Sequence, residues 1–327
     1  MSTNAGSGRA RVAVVGAGAV GSYFGGMLAR AGVHVTLIAR PAHVEAIHGD
    51  GLFLDCVSFQ EKVRVEASTE ISAARDAEVA LLCVKTLDTE ETMRALKPNL
   101  APGAIVVSLQ NGVDNVEHIR AASGIDALPS VVYVAAAMIA PGHVKHNGRG
   151  DLVVGEFANH VPVASQPART ERVAELFVNA GVPCRISANI EADLWTKLIM
   201  NCAGNAVSAL ARTNYGHAAR DAETRELMGT VIAEAIAVAR RLGIKLPDID
   251  MVGAGLKLAE TLGEAISSTA QDIARGKRTE IGSLNGYIVK SGAELGIATP
   301  VNFTLYALVT LLEQNASKQA RPAGASQ

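Results

Sequence analysis

The chain has 327 residues, of which 49% are hydrophobic and 19% charged, and its formal net charge is -2. That length exceeds the size at which one hydrophobic core keeps growing, so two domains are expected. The near-neutral charge excludes a general electrostatic footprint for nucleic acid or an anionic membrane, and no apolar run is long enough for a transmembrane helix.

The start, MSTNAGSGRA, lacks the apolar stretch of a signal peptide, so a cytoplasmic protein with a flexible segment over 1–10 is expected. Arg11 to Val15 is a β-branched run that passes directly into GAGAVG, which is Gly16, Ala17, Gly18, Ala19, Val20 and Gly21. A helix-like SYFGGMLARAG follows, then a second apolar run, HVTLIAR. GxGxxG between a strand and a helix is the pattern of a dinucleotide site: one glycine permits the turn, one lets backbone N–H groups approach a pyrophosphate, and one allows helix and strand to pack closely. No acid stands at the end of the second strand, where an NAD site places one for the ribose; Arg40 is there instead. An arginine suits a 2′-phosphate, so NADP(H) is the expected cofactor.

GLFLDC and EKVRVEAS alternate like a hairpin, and EVALLCVK and AIVVSLQ read as buried strands separated by a helix-like TLDTEETMRALKPNL. Alternating strands and helices imply a parallel, doubly wound sheet whose ligands lie beyond the carboxyl ends of its strands. Lys85 and the tripeptide Gln110-Asn111-Gly112 stand at those ends. Lys85 reads equally as a solvated strand end and as a phosphate contact, and Asn111-Gly112 is also an ordinary turn dipeptide. A strand from Leu128 precedes PGHVKHNGRGDLVVGE, in which Pro141-Gly142 and Asn147-Gly148 punctuate two short alternating runs. His143 and His146 have no third ligand nearby, and Cys56, Cys83, Cys184 and Cys202 form no CxxC pair, so neither a metal site nor a disulfide framework is expected. A helix, PARTERVAELFVNAG, and a strand, VPCRIS, close a first domain over 11–187.

From Asn189 onward the pattern is helical, giving a second domain over 188–316 and a flexible tail over 317–327. Its first helix, NIEADLWTKLIMNCAGNAVSALAR, is apolar nearly all round except for Asp193, Lys197, Asn201 and Asn205, which recur every four residues along one side. By itself that strip also fits a solvated helix face. Further helices are expected over 223–241, 250–262, 264–275 and 279–295, and from Pro300.

GAGAVG, CVKT ending at Thr86, QNG at 110–112, PGHVKHNG, W-T-K-L-x-x-N-x-x-x-N from Trp195 and SSTAQDIARGKRTEI from Ser267 together resemble the ketopantoate reductases (2-dehydropantoate 2-reductases), from Arg11 to about Leu312. The resemblance implies an α/β fold: an N-terminal Rossmann-like, doubly wound dinucleotide-binding domain, then an all-α C-terminal domain of the 6-phosphogluconate dehydrogenase C-terminal-like kind. It implies an oxidoreductase that uses NADPH to reduce ketopantoate to pantoate for pantothenate synthesis. Lys197 is then the proton donor to the substrate carbonyl, and Glu280 the acid beside lysine and nicotinamide. Asn201, Asn205 and Ser268 are then substrate contacts, Asn111 bridges cofactor and substrate, and Arg40 and Lys85 lie on the adenosine phosphate side. A ketone reduced by hydride accumulates charge on oxygen, so a cation able to release a proton suits the reaction independently. Ser268 also fits a helix-start cap, and Glu280 a surface pair with Arg278 or Lys277.

Thr269, Gly282, Tyr215 and the strand VVYVAAAM depart from common family residues and bear on pocket polarity. Another branched 2-oxo acid as substrate, and a dinucleotide-sensing protein without catalysis, therefore stay open as alternatives. A homodimer through the apolar surface of the helical domain is a further possibility.

Overall fold

The structure is a computed structural model that describes residues 10–157 and 166–319. The segments 1–9 and 320–327, on which most of the expected flexible start and tail fall, lie outside the described residues. The described chain divides into two compact units, one running to Gln110 and over Asp114–Ile190, the other comprising Asn111–Val113 and the chain from Glu191.

The first unit runs β1 (Arg11–Val15), α1 (Ala19–Arg30), β2 (His34–Ile38), α2 (Pro41–Asp50), β3 (Leu52–Cys56), β4 (Gln60–Val63), β5 (Glu66–Ser68), β6 (Val79–Leu82), α3 (Thr89–Leu96), β7 (Ile105–Ser108), α4 (Asn115–Ser123), β8 (Leu128–Ala140), β9 (His143–Val154), α5 (Gln166–Asn179) and β10 (Cys184–Ile186). The strands form one sheet in the order β4-β3-β9-β8-β7-β6-β1-β2-β5, with β10 beside β9. β1 is parallel to both β2 and β6, so the first strand of the chain lies centrally, as a doubly wound sheet requires. Side-chain alternation explains why both faces are covered. Val12 and Val14 pack into a core with Phe24, Leu28 and Phe177, whereas Ala13 and Val15 pack into another with Leu82, Met93 and Ile119.

Two local expectations are corrected. EKVRVEAS is only in part the second arm of a hairpin: its first three residues lie in β4, antiparallel to β3 as expected, but β5 leaves to pair parallel with β2. Asn147-Gly148 is not a turn. β9 continues through it, and its register against β8 passes over Asn147 and Gly150, with Gly148, Arg149 and Gly150 at φ 151°, 52° and 125°. Long flanking strands absorb the extra residues as bulges, so only Pro141-Gly142 turns the chain.

The second unit contains α6 (Ile190–Ala211), α7 (Tyr215–Arg220), α8 (Ala222–Arg241), α9 (Met251–Leu262), α10 (Ser268–Ala274), α11 (Asn285–Leu295) and α12 (Pro300–Gln319). α7 was not expected, and the segment expected as a helix from Thr279 takes a 3-10 turn at Ile281–Ser283 before α11 begins. Asp221 and Ser267 cap α8 and α10 by accepting from the backbone N–H groups of Thr224 and Ala270, which satisfies donors that a helix start leaves orphaned. Glu234 accepts from the N–H groups of Val301 and Asn302 at the start of α12, and Asn285 reaches both Asn302 Oδ1 and the Cys202 carbonyl oxygen. These bonds fix α6, α8, α11 and α12 to one another around an apolar interior. Among the described residues, no helix is long and apolar enough to cross a membrane.

Candidate active site

The glycine turn follows β1 directly. Its main chain is held from the protein side: Gly16 and Ala17 N–H groups donate to Ile38 O at 3.1 and 2.9 Å, and Gly18 N–H to Gly16 O at 2.7 Å. Gly16 has φ +90°, and a Cβ there would stand 2.7 Å from Val84 Cγ1. A Cβ on Gly21 would lie 2.8 Å from Gly16 O and 2.9 Å from Val14 Cγ1, so this glycine sets the approach of α1 to β1. At Gly18 a Cβ would meet nothing within 4 Å. Open space at Gly18, next to the uncapped first turn of α1 with the N–H groups of Ala19, Val20 and Gly21, fits a pyrophosphate.

Arg40 is exposed at the end of β2 and is the residue from which α2 starts. Lys85 is half-buried after β6. Gln110 is a buried brace: its Nε2 donates to Val84 O at 3.0 Å and Thr89 Oγ1 at 2.7 Å, while its Oε1 accepts from Ser108 Oγ at 3.0 Å.

In the helical unit, α6 buries Leu194, Trp195, Leu198, Ile199, Cys202, Ala206 and Val207 and leaves Lys197 and Asn201 half-buried. Lys197 Nζ donates to Asn111 Oδ1 at 2.8 Å, and Asn111 Nδ2 donates to Glu280 Oε2 at 3.2 Å. The carboxamide of Asn111 thus presents its oxygen to a cation and its NH2 to an anion, the arrangement that its dipole favours. Glu280 stands in the short link ahead of α11, beside Thr279, whose N–H and Oγ1 both donate to Glu313 Oε2, at 2.7 and 2.6 Å. No sequence pattern marked Glu313. An acid a turn and a half from the end of the described apolar helix looks like ordinary surface until the fold brings it to Thr279.

The other strip residues differ. Among the described residues, the Asn201 carboxamide has no hydrogen-bond partner. Asn205 is buried, and its Oδ1 accepts from Tyr215 Oη at 2.8 Å. The Tyr215 ring lies so close to α6 that a Cβ on Gly204 would stand 2.6 Å from Cε1, and burial raises the pKa of its hydroxyl. That hydroxyl therefore stays a donor. Asp193 lies in the first turn of α6, where a negative charge complements the helix dipole. Ser268 is exposed, and the cap of α10 is its neighbour Ser267, whose Oγ accepts from Ala270 N–H at 3.0 Å. The four cysteines are free thiols; burial pushes Cys56 and Cys184 up to about 11 and Cys83 to about 12.

Residues 12–159 match the family model described as ketopantoate reductase PanE/ApbA, and residues 189–313 match the model of its C-terminal part. The chain is 32% identical over 303 residues to the 2-dehydropantoate 2-reductase of Pyrococcus horikoshii, covering 93% of this chain and 97% of that one. It belongs to the ketopantoate reductase family. A second member, from Archaeoglobus fulgidus, is 35% identical over 93% of this chain and 98% of its own. Among solved structures, the PanE/ApbA family ketopantoate reductase from Ralstonia eutropha is 48% identical with a TM-score of 0.86, over 94% of this chain and 99% of that chain. The α/β sheet followed by helices is thus the ketopantoate reductase architecture, and both halves of the expected resemblance are matched.

Proposed function

We propose that this chain is an NADPH-dependent 2-dehydropantoate 2-reductase, reducing ketopantoate to pantoate for pantothenate synthesis. The observation that carries the reading is the Asn111 carboxamide spanning Lys197 and Glu280 in a member of this family. When bound, NADPH supplies a hydride to the 2-oxo carbon. Lys197 donates to the substrate oxygen and transfers a proton as negative charge develops there, leaving a neutral amine that solvent reprotonates. Glu280, acting on Asn111, fixes the amide so that its oxygen holds the ammonium in place. Asn201 and Asn205 orient the substrate by uncharged hydrogen bonds, and Ser268 contacts its carboxylate. The glycine turn from Gly16 to Gly21 receives the pyrophosphate, while Arg40 and Lys85 serve the adenosine phosphate side.

One observation favours a second reading, a different branched 2-oxo acid. Tyr215 Oη takes one of the two acceptor positions on Asn205 Oδ1, which tilts that amide toward donating and alters the polarity offered to a substrate hydroxyl. Both readings are separated by kcat/KM for ketopantoate against a panel of branched 2-oxo acids with NADPH. Ketopantoate ranking first is expected; another acid exceeding it tenfold would transfer the assignment, and no turnover of any of them despite NADPH binding would end it.

A small water-soluble substrate and cofactor support a cytoplasmic enzyme. Exposed Phe303, Leu308 and Leu311 on α12 support pairing of two copies through the helical unit, which light scattering checks.

A further inference from the structure

A chain of three hydrogen bonds runs behind the glycine turn, through residues that have no assigned role. Gly142 N–H donates to His43 Nδ1 at 2.8 Å, His43 Nε2 lies 3.0 Å from Ser22 Oγ, and Ser22 Oγ donates to the Ala17 carbonyl oxygen at 3.1 Å. Both side chains are buried. The direction of the chain is fixed at its first link. A backbone N–H can only donate, so Nδ1 holds a lone pair and the proton of the neutral ring sits on Nε2. Nε2–H therefore donates to Ser22 Oγ, and the serine hydrogen is left for Ala17 O.

The same histidine is tied to the next cofactor element. His43 and Val44 N–H groups donate to Arg40 O at 3.0 and 3.1 Å, and the hairpin turn at Gly142 packs on Ala46 of α2. A shift of the His43 ring would move the start of α2, and Arg40 with it.

We propose that His43 is a positioning residue for the dinucleotide, locking the Ala17 carbonyl of the glycine turn through Ser22 and setting Arg40 through the first turn of α2. With Ala17 O held by Ser22 and the N–H groups of Gly16, Ala17 and Gly18 satisfied within the protein, the turn reaches its ligand-ready shape before any ligand arrives. Binding then costs no ordering of that segment. This inference rests on the reading of the turn as an NADPH site.

The test uses the full-length chain, with NADPH and NADH affinities from nucleotide fluorescence, unfolding temperature without nucleotide, and kcat at saturating NADPH. Ser22→Ala and His43→Ala are expected to raise the Kd for NADPH about tenfold, the scale of a lost buried hydrogen bond, with kcat within about twofold of wild type. His43→Gln, which returns a donor near the Nε2 position, restores much of the affinity. His43→Ala narrows the preference for NADPH over NADH, and Ser22→Ala does not, because only the former disturbs α2. Wild-type NADPH affinity in both alanine variants, or equal loss of affinity and kcat with no rescue by glutamine, would overturn the inference. A wild-type chain that fails to bind NADPH would remove the reading beneath it, an outcome distinct from either.

Discussion

In the first unit, the groups proposed for the cofactor pyrophosphate are main-chain N–H groups at the start of α1, and the sequence records them as side chains left out at Gly16, Gly18 and Gly21. In the helical unit, the groups assigned to the chemistry are side-chain atoms of Lys197, Asn111 and Glu280, joined by two hydrogen bonds. A backbone site tolerates almost any residue whose Cβ fits and fails when bulk is added. A side-chain site fails when an atom is removed. The two therefore respond to opposite kinds of mutation, and binding and turnover should separate accordingly.

The largest effect is expected from Lys197→Ala, which removes the proposed proton donor and should lower turnover by about 10²–10⁴ while leaving the Kd for NADPH within about twofold. Stopped-flow turnover and fluorescence titration measure the two quantities separately. Comparable losses in both would break the division between the units.

Next come two glycine variants that divide the backbone site itself. Gly18→Ala adds a methyl into open space at an ordinary φ of -78°, so its unfolding temperature should match wild type while NADPH binding weakens by about tenfold or more. Gly16→Ala meets both a positive φ and Val84, and should lower the unfolding temperature by several degrees, on the basis of roughly 1–3 kcal/mol of strain. If the two variants behave alike in calorimetry, the distinction between ligand space and folding constraint is wrong.

The smallest effect concerns pH. Burial lowers the pKa of His43 below its ordinary 6.5. Above 6.5 the ring is neutral in both folded and unfolded chains, and its contribution is fully present. As pH falls through 6.5 the unfolded chain takes up a proton that the folded one refuses, so stability declines. The unfolding temperature should fall from pH 7.5 to 5.5 more in wild type than in His43→Gln, and equal slopes would show that another group governs the trend.

Much of this was legible in the sequence, for local reasons. The glycine turn declares itself because strand, turn and helix occupy consecutive residues, and the α6 strip because helical spacing places Lys197, Asn201 and Asn205 on one side. What escaped was set by partners distant in sequence. Lys197 and Asn111 are 86 residues apart, Asn111 and Glu280 are 169 apart, and nothing local signals either bond. The same applies to His43 and Gly142, 99 residues apart. Asn147-Gly148 misled because the dipeptide's turn preference was outweighed by strand pairing on both sides. At Ser267-Ser268 two identical residues competed for one cap, and the backbone chose the first. Tyr215 stood out in the sequence, but its hold on Asn205 depended on Gly204 leaving room for the ring.

Asn111–Val113 groups with the helical unit although the chain on either side of it belongs to the sheet. Cutting the gene at the apparent boundary would therefore deliver a helical fragment without the amide that meets Lys197. A chimera joining this helical portion to a relative's nucleotide-binding portion would borrow a foreign tripeptide at 111–113. The unit to transfer in such an exchange is a contiguous tail together with a three-residue outpost embedded upstream, which a single crossover point does not carry.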